Sequence, residues 1–117
     1  MNDTKRVVES FLAAWTSRNE AAARELMADN IVFISPMSRY ESAEEFIGPL
    51  MRFASMLHEH RVHQLLVEGD RAALYYDCEM PPPIGTLTTA SFYRVENGKI
   101  REYRSVFDCT NLRKVLG

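Results

Sequence analysis

At 117 residues, with 26% charged and 46% hydrophobic side chains, the chain is long enough for one domain with a real core, expected over residues 1–117. A net charge of −2 supplies no basic footprint for nucleic acid or an anionic membrane surface, and no apolar run approaches the length of a membrane span. Met1 to Arg6 leads straight into an amphipathic pattern without the apolar block of a signal peptide, and the 2 cysteines, Cys78 and Cys109, have no metal or disulfide spacing, so a cytoplasmic location is expected.

Residues 3–17 read as a helix, capped by Asp3 or Thr4, with Val7, Val8, Phe11, Leu12, Ala14 and Trp15 as its apolar stripe. Ser17-Arg18-Asn19 interrupts the pattern, and Asn19 caps an Ala-rich second helix over 20–28. Ile31 to Ile34 is a β-branched and aromatic run bounded by Ser35-Pro36, which predicts a short strand followed by a polar loop, Met37 to Tyr40. Ser42-Ala43-Glu44-Glu45 is a capping box, and the third helix begins there. Gly48-Pro49 lies inside its stripe. Proline removes a backbone bond and clashes with the preceding turn, so a kink or restart is expected.

From His60 the apolar period changes from helical spacing to two. Strands are predicted over Arg61–Glu68, Arg71–Met80 and Ile84–Glu96, with a turn at Gly69-Asp70 and a break at Pro81-Pro82-Pro83. Three prolines cannot donate ladder bonds, which suggests a sheet edge or a cavity rim. Asn97-Gly98 is a tight hairpin signal, because both residues tolerate positive φ. The strand after it ends on Phe107-Asp108, just before a short helix over Thr110–Leu116. Helices first and a strand meander later predict an α+β fold, with helices on one face of a curved sheet.

The order and spacing of four segments resemble the nuclear-transport-factor-2-like superfamily, and within it the SnoaL-like and ketosteroid-isomerase-like proteins. The segments are Phe11 to Asn19, Leu26 to Phe33, Phe92 to Ile100 and Arg104 to Asp108. Glu41 departs from the glycine that many relatives carry before the third helix. The resemblance implies a cone-shaped curved antiparallel (mixed) sheet with three helices from the first half of the chain on its concave face. It also implies a homodimer through the outer sheet face, and a pocket for a small, largely apolar organic ligand. The superfamily includes both enzymes and non-catalytic binding modules, so fold alone does not choose between them. Ketosteroid isomerases place a tyrosine and two acids where Phe11, Ser35 and Ser91 stand here, which argues against that activity. Limonene-epoxide-hydrolase-like enzymes carry an Asp–Arg–Asp set. Asp108 and Glu79 match its two carboxylates, but Asp77 stands at the arginine position.

These matches make Asp77, Glu79 and Asp108 the candidate acid/base groups of a cofactor-independent isomerase, cyclase or hydrolase. Alternation alone leaves Asp77 and Glu79 in water, opposite the apolar set Leu74, Tyr76, Cys78 and Met80. The resemblance instead turns Tyr75, Asp77 and Glu79 into the cone, where mutual repulsion and burial would raise at least one pKa. Asp108 likewise has two readings, as a helix cap or as a carboxylate at the pocket rim. The expected ligand-contacting residues are Trp15, Phe33, Tyr40, Tyr75, Ser91, Tyr93, Tyr103, Ser105 and Phe107. Their bland reading is plain core, with the tyrosine hydroxyls reaching water. His60 and His63 fall on opposite strand faces, and no metal or organic cofactor is expected. The alternative to an enzyme is a non-catalytic ligand-binding or dimerisation module; a subunit of a larger enzyme is a third reading.

Overall fold

The computed structural model describes residues 3–116; Met1, Asn2 and Gly117, included in the domain expected over 1–117, lie outside them. Helix α1 (Thr4–Thr16) buries Val7, Val8, Phe11, Leu12, Ala14 and Trp15, the stripe that its spacing predicts. Asp3 occupies the cap position, but its side chain makes no capping hydrogen bond. Asn19 caps α2 (Glu20–Glu25) by accepting from the backbone N–H of Ala22. This helix stops three residues short of the expected end. The chain is already extended at Met27, where β1 (Met27–Ile34) begins four residues before the predicted strand.

The loop expected from Met37 to Tyr40 contains a short strand, β2 (Arg39–Tyr40). Ser42 accepts from the Glu45 N–H and opens α3 (Ala43–Met56), while the Glu45 carboxylate accepts from the Glu41 N–H. Both arms of a capping box are thus made, with the second reaching one residue further back. Of the kink or restart expected at Pro49, no restart occurs: the helix runs on through the proline. The remaining elements are β3 (Glu59–Glu68), β4 (Arg71–Glu79), β5 (Thr86–Glu96), β6 (Lys99–Val106) and α4 (Thr110–Leu116). Asn97 and Gly98 both have positive φ, 54° and 76°, which the tight β5–β6 turn demands.

The curved, mixed six-stranded sheet has the order β2-β1-β6-β5-β4-β3. Strand β1 runs parallel to β6, and every other neighbouring pair is antiparallel. Helix α1 lies over β3 to β6, and α3 over β1 and β2, so both helices share the inner face. Alternation then sorts each strand. On β4, Ala72, Leu74, Tyr76 and Cys78 are buried, and on β5 Leu87, Thr89, Ser91, Tyr93 and Val95. The triproline turn is neither a sheet edge nor a cavity rim as expected: it joins two interior strands, with Met80 and Ile84 buried beside it.

Helix α4 is held lightly. Between Thr110 and Val115 only Leu112 is buried, and the Arg113 guanidinium donates to the Pro36 carbonyl at 3.0 Å. Asp108 Oδ1 accepts from the backbone N–H of Thr110 at 3.0 Å and from its hydroxyl at 2.7 Å. Those two bonds hold the carboxyl below its usual range. A depressed carboxylate stabilises the folded form above the ordinary carboxylate pKa, and that contribution is lost as pH falls through the lowered value. Asp108→Ala is therefore expected to reduce the helical carbon chemical shifts of residues 110–115 at neutral pH. The parent protein should lose the same helicity only in acid, as pH falls through the lowered carboxyl pKa and below the ordinary carboxylate range. NMR spectra recorded across pH check this; equal shifts in both proteins at neutral pH contradict it.

Candidate functional site

A cavity of about 290 Å³ lies between α3 and the inner sheet face, with Trp15 of α1 and Leu112 of α4 in its wall. Helix α3 contributes a strip at helical spacing, including Phe46, Pro49, Phe53 and Met56. Phe33 is the centre of an aromatic cluster. Its ring stacks on Phe46 at 4.3 Å and meets the edge of Tyr103 at 4.8 Å, with Tyr40 stacked outside it at 6.3 Å. Trp15 leans on Phe53 at 5.9 Å. The wall is therefore mostly aromatic and apolar.

Its polar side is made of hydroxyls. Tyr76, Thr89, Tyr103 and Ser105 line the cavity from β4, β5 and β6. Behind them Ser91 is fully buried and joins two of the groups: its Oγ lies 3.2 Å from Tyr76 Oη and 2.8 Å from Ser105 Oγ. Burial pushes the Tyr76 and Tyr93 phenols well above their ordinary pKa and raises that of Tyr103. These phenols stay protonated, as donors and acceptors of hydrogen bonds. Cys78, also in the wall, has its thiol pushed up to about 12 by burial, so it is an inert thiol there. The indole Nε1–H of Trp15 is buried and has no acceptor among the described residues.

Six of the expected ligand-contacting residues line this cavity: Trp15, Phe33, Tyr40, Tyr103, Ser105 and Phe107. Ser91 and Tyr93 are buried one layer behind it; Tyr93 stacks on Tyr103 at 4.8 Å. Tyr75 is a correction. It is 48% exposed on the outer face and packs against the His63 ring. The same correction applies to its face-mates Asp77 and Glu79. The strand cannot turn Tyr76 and Cys78 inward and these three inward as well, so Tyr75, Asp77 and Glu79 point out.

The outward carboxylates are occupied. Asp77 Oδ2 lies 2.9 Å from His63 Nε2, and Oδ1 accepts from the Thr88 hydroxyl. Glu79 is bonded by the Thr86 hydroxyl and by Arg61 at 3.0 Å. These partners hold both carboxyls below their usual range, His63 foremost for Asp77 and Thr86 for Glu79. That is the opposite of the rise expected for a pair buried in the cone. Asp108 is exposed and committed to Thr110, so of its two expected roles the structure displays the turn that leads into α4. Among the described residues, the wall contains no Asp, Glu or His, and no three His, Cys, Asp or Glu side chains converge as a metal site would need. His60 sits opposite Cys78 on the inner side of β3, while a bulge between Val62 and Gln64 puts His63 outside.

Sequence reasoning left Tyr76, Cys78 and Thr89 out of the site. The signal was present, since the buried alternation of β4 and β5 carries all three inward. Arg52, the one charged wall residue, gave no comparable signal, because a helix-surface arginine looks the same wherever it lies.

The SnoaL-like domain family matches residues 8–103. Among curated proteins, none matches the sequence. A protein from Kribbella flavida DSM 17836 is 26% identical, with a TM-score of 0.88 over 95% of this chain and 91% of its own. A nuclear-transport-factor-2-like protein of unknown function from Cytophaga hutchinsonii ATCC 33406 is 24% identical, with a TM-score of 0.81 over 100% and 97%. An LEH-like epoxide hydrolase of M. tuberculosis shares the fold at 19% identity, with a TM-score of 0.76 over 93% and 85%. With most of its length matched by that family, the chain belongs to the SnoaL-like domain family, and its sheet and helices have the fold of the nuclear-transport-factor-2-like structure.

Proposed function

We propose that this chain binds a small, largely apolar molecule carrying an acceptor oxygen, in the cavity between α3 and the inner sheet face. The observation that carries the reading is the composition of the wall: aromatic rings on one side, hydroxyls on the other, and a buried indole N–H without an acceptor among the described residues. Apolar surface supplies the affinity, and a few convergent polar groups fix orientation. Tyr76 and Tyr103 are neutral donors at cavity depth, so they polarise a carbonyl, ether or epoxide oxygen without taking a proton from it. Acid/base chemistry by Asp77, Glu79 or Asp108 would need their carboxylates in the cavity, and all three are outside it. The geometry therefore favours a binding module over a carboxylate enzyme.

Trp15 is the chain's single tryptophan and lines the cavity, so intrinsic fluorescence reports occupancy directly. A cyclohexyl ketone and a hydrocarbon of the same shape are both expected to produce a saturable change, with the ketone the tighter ligand. Tyr76→Phe removes one buried donor and should cost the ketone about tenfold in affinity while leaving the hydrocarbon nearly unaffected. Absence of saturable binding by either compound would refute the reading.

We further propose that a second copy of this chain covers the outer sheet face. Register aligns Leu66, Ala73 and Phe92 in one row, and Tyr75, Ala90 and Val106 in the next. Of these, Leu66, Tyr75, Phe92 and Val106 are exposed large hydrophobics. One end of the band is acid-rich, with Glu59, Asp77 and Glu79 around Arg61. The other is arginine-rich, with Arg71 and Arg94 around Glu102 and Arg104 next to it. A two-fold axis running across the strands sets unlike ends face to face, while like ends would repel. Phe92→Glu places a charge in the middle of that face and should shift sedimentation from dimer to monomer at micromolar concentration. A parent protein that sediments as a monomer would dismiss the interface.

A further inference from the structure

We propose that the ligand of this cavity is an organic acid, with a flat apolar body among the aromatic walls and its carboxylate on Arg52. This rests on the cavity being a ligand site, and it adds the charge of the occupant. None of the chain's 16 Asp and Glu residues lines the cavity, whereas Arg52 does. Asp108 follows the wall residue Phe107, and its carboxylate is bonded to Thr110.

The guanidinium of Arg52 has no acceptor among the described residues. Arginines that serve the fold are tied: Arg18 to the Ala54 and Leu57 carbonyls, Arg94 to Glu102, Arg113 to Pro36. Arg52 instead lines the cavity from α3, one turn after Pro49 and one turn before Met56. It is exposed, so its charged head stays solvated at the mouth while its stem extends along the apolar wall. A planar guanidinium presents paired donors that match the two oxygens of a carboxylate. The wall holds no carboxylate to repel an acid, and the same arginine repels an amine. The hydroxyls at depth select for an oxygen of any kind; Arg52 selects for charge.

The test pairs acids with their neutral isosteres: cinnamate with cinnamamide, and 2-naphthoate with 2-naphthamide, titrated calorimetrically into the parent protein and into Arg52→Gln and Arg52→Lys. The acids are expected to bind the parent about tenfold tighter than the amides, with a preference that shrinks as salt rises. Arg52→Gln should abolish that preference by weakening the acids, and Arg52→Lys should keep part of it. Amides that bind the parent as tightly as the acids overturn the acid proposal while leaving the cavity a ligand site. A preference that survives Arg52→Gln assigns it to another group and also overturns the proposal. If neither acids, amides nor the cyclohexyl pair bind, the cavity reading falls, and this inference with it.

Discussion

Three hydroxyls buried side by side on adjacent strands decide what the cavity can be. Tyr76, Ser91 and Ser105 come from β4, β5 and β6, and each satisfies another at 2.8–3.2 Å. A buried hydroxyl without a partner is costly, so these groups are tolerated in the interior because the register brings them together. Ser91 stands directly opposite Ser105 in the β5–β6 ladder, and Tyr76 reaches the same point from β4. A slip of one residue in any of the three strands would turn its hydroxyl out to solvent and an outer-face residue in. The register of the curved sheet and the chemistry of the cavity are thus one constraint. The same burial that holds the hydroxyls together keeps the phenols protonated.

The outer face follows from the same alternation. Turning Tyr76 inward obliges Tyr75, Asp77 and Glu79 to face out, and each finds cross-strand company there. The bulge at His63 matters here, because it leaves both His63 and Gln64 on the outside, where His63 covers Tyr75 and meets Asp77. Exposed cross-strand ion pairs contribute little to stability. Their arrangement says more than their energy: charge is collected at the two ends of the face, and the middle is left to Leu66, Phe92 and Val106. Monomeric proteins rarely leave so continuous an apolar band uncovered.

Much of this was legible in the sequence where local physics is strong. The stripe of α1, the Ser42 capping box, the Asn97-Gly98 turn and the period-two strands each carry their own signal. What was not legible depended on distant partners. β1 begins at Met27 because β6 offers Ile100 as a pairing partner there, and no local pattern marks that start. β2 exists because the chain folds back on Phe33 and Ile34. The helix passes through Pro49, against the local preference. The sharpest divergence concerns β4. Its own alternation pointed Leu74, Tyr76, Cys78 and Met80 inward, while the likeness to epoxide hydrolases pointed Tyr75, Asp77 and Glu79 inward. The alternation prevailed, since it buries four apolar or aromatic residues and spares two carboxylates, which have outward partners, the cost of desolvation.

Asp108 shows the same competition at a single residue. It follows Phe107, which does line the cavity, so its place in the chain is where the resemblance puts it. Yet a carboxylate two residues beyond a strand end, with a threonine two residues on, has donors within immediate reach, the Thr110 N–H and hydroxyl. Turning inward would abandon both and add desolvation by the aromatic wall. The local bonds win, and their effect still reaches the cavity. By setting the start of α4, Asp108 sets where Leu112 falls, and Leu112 is the α4 residue that reaches the cavity wall. The strongest family-matched acid therefore meets the cavity from outside, through a helix start.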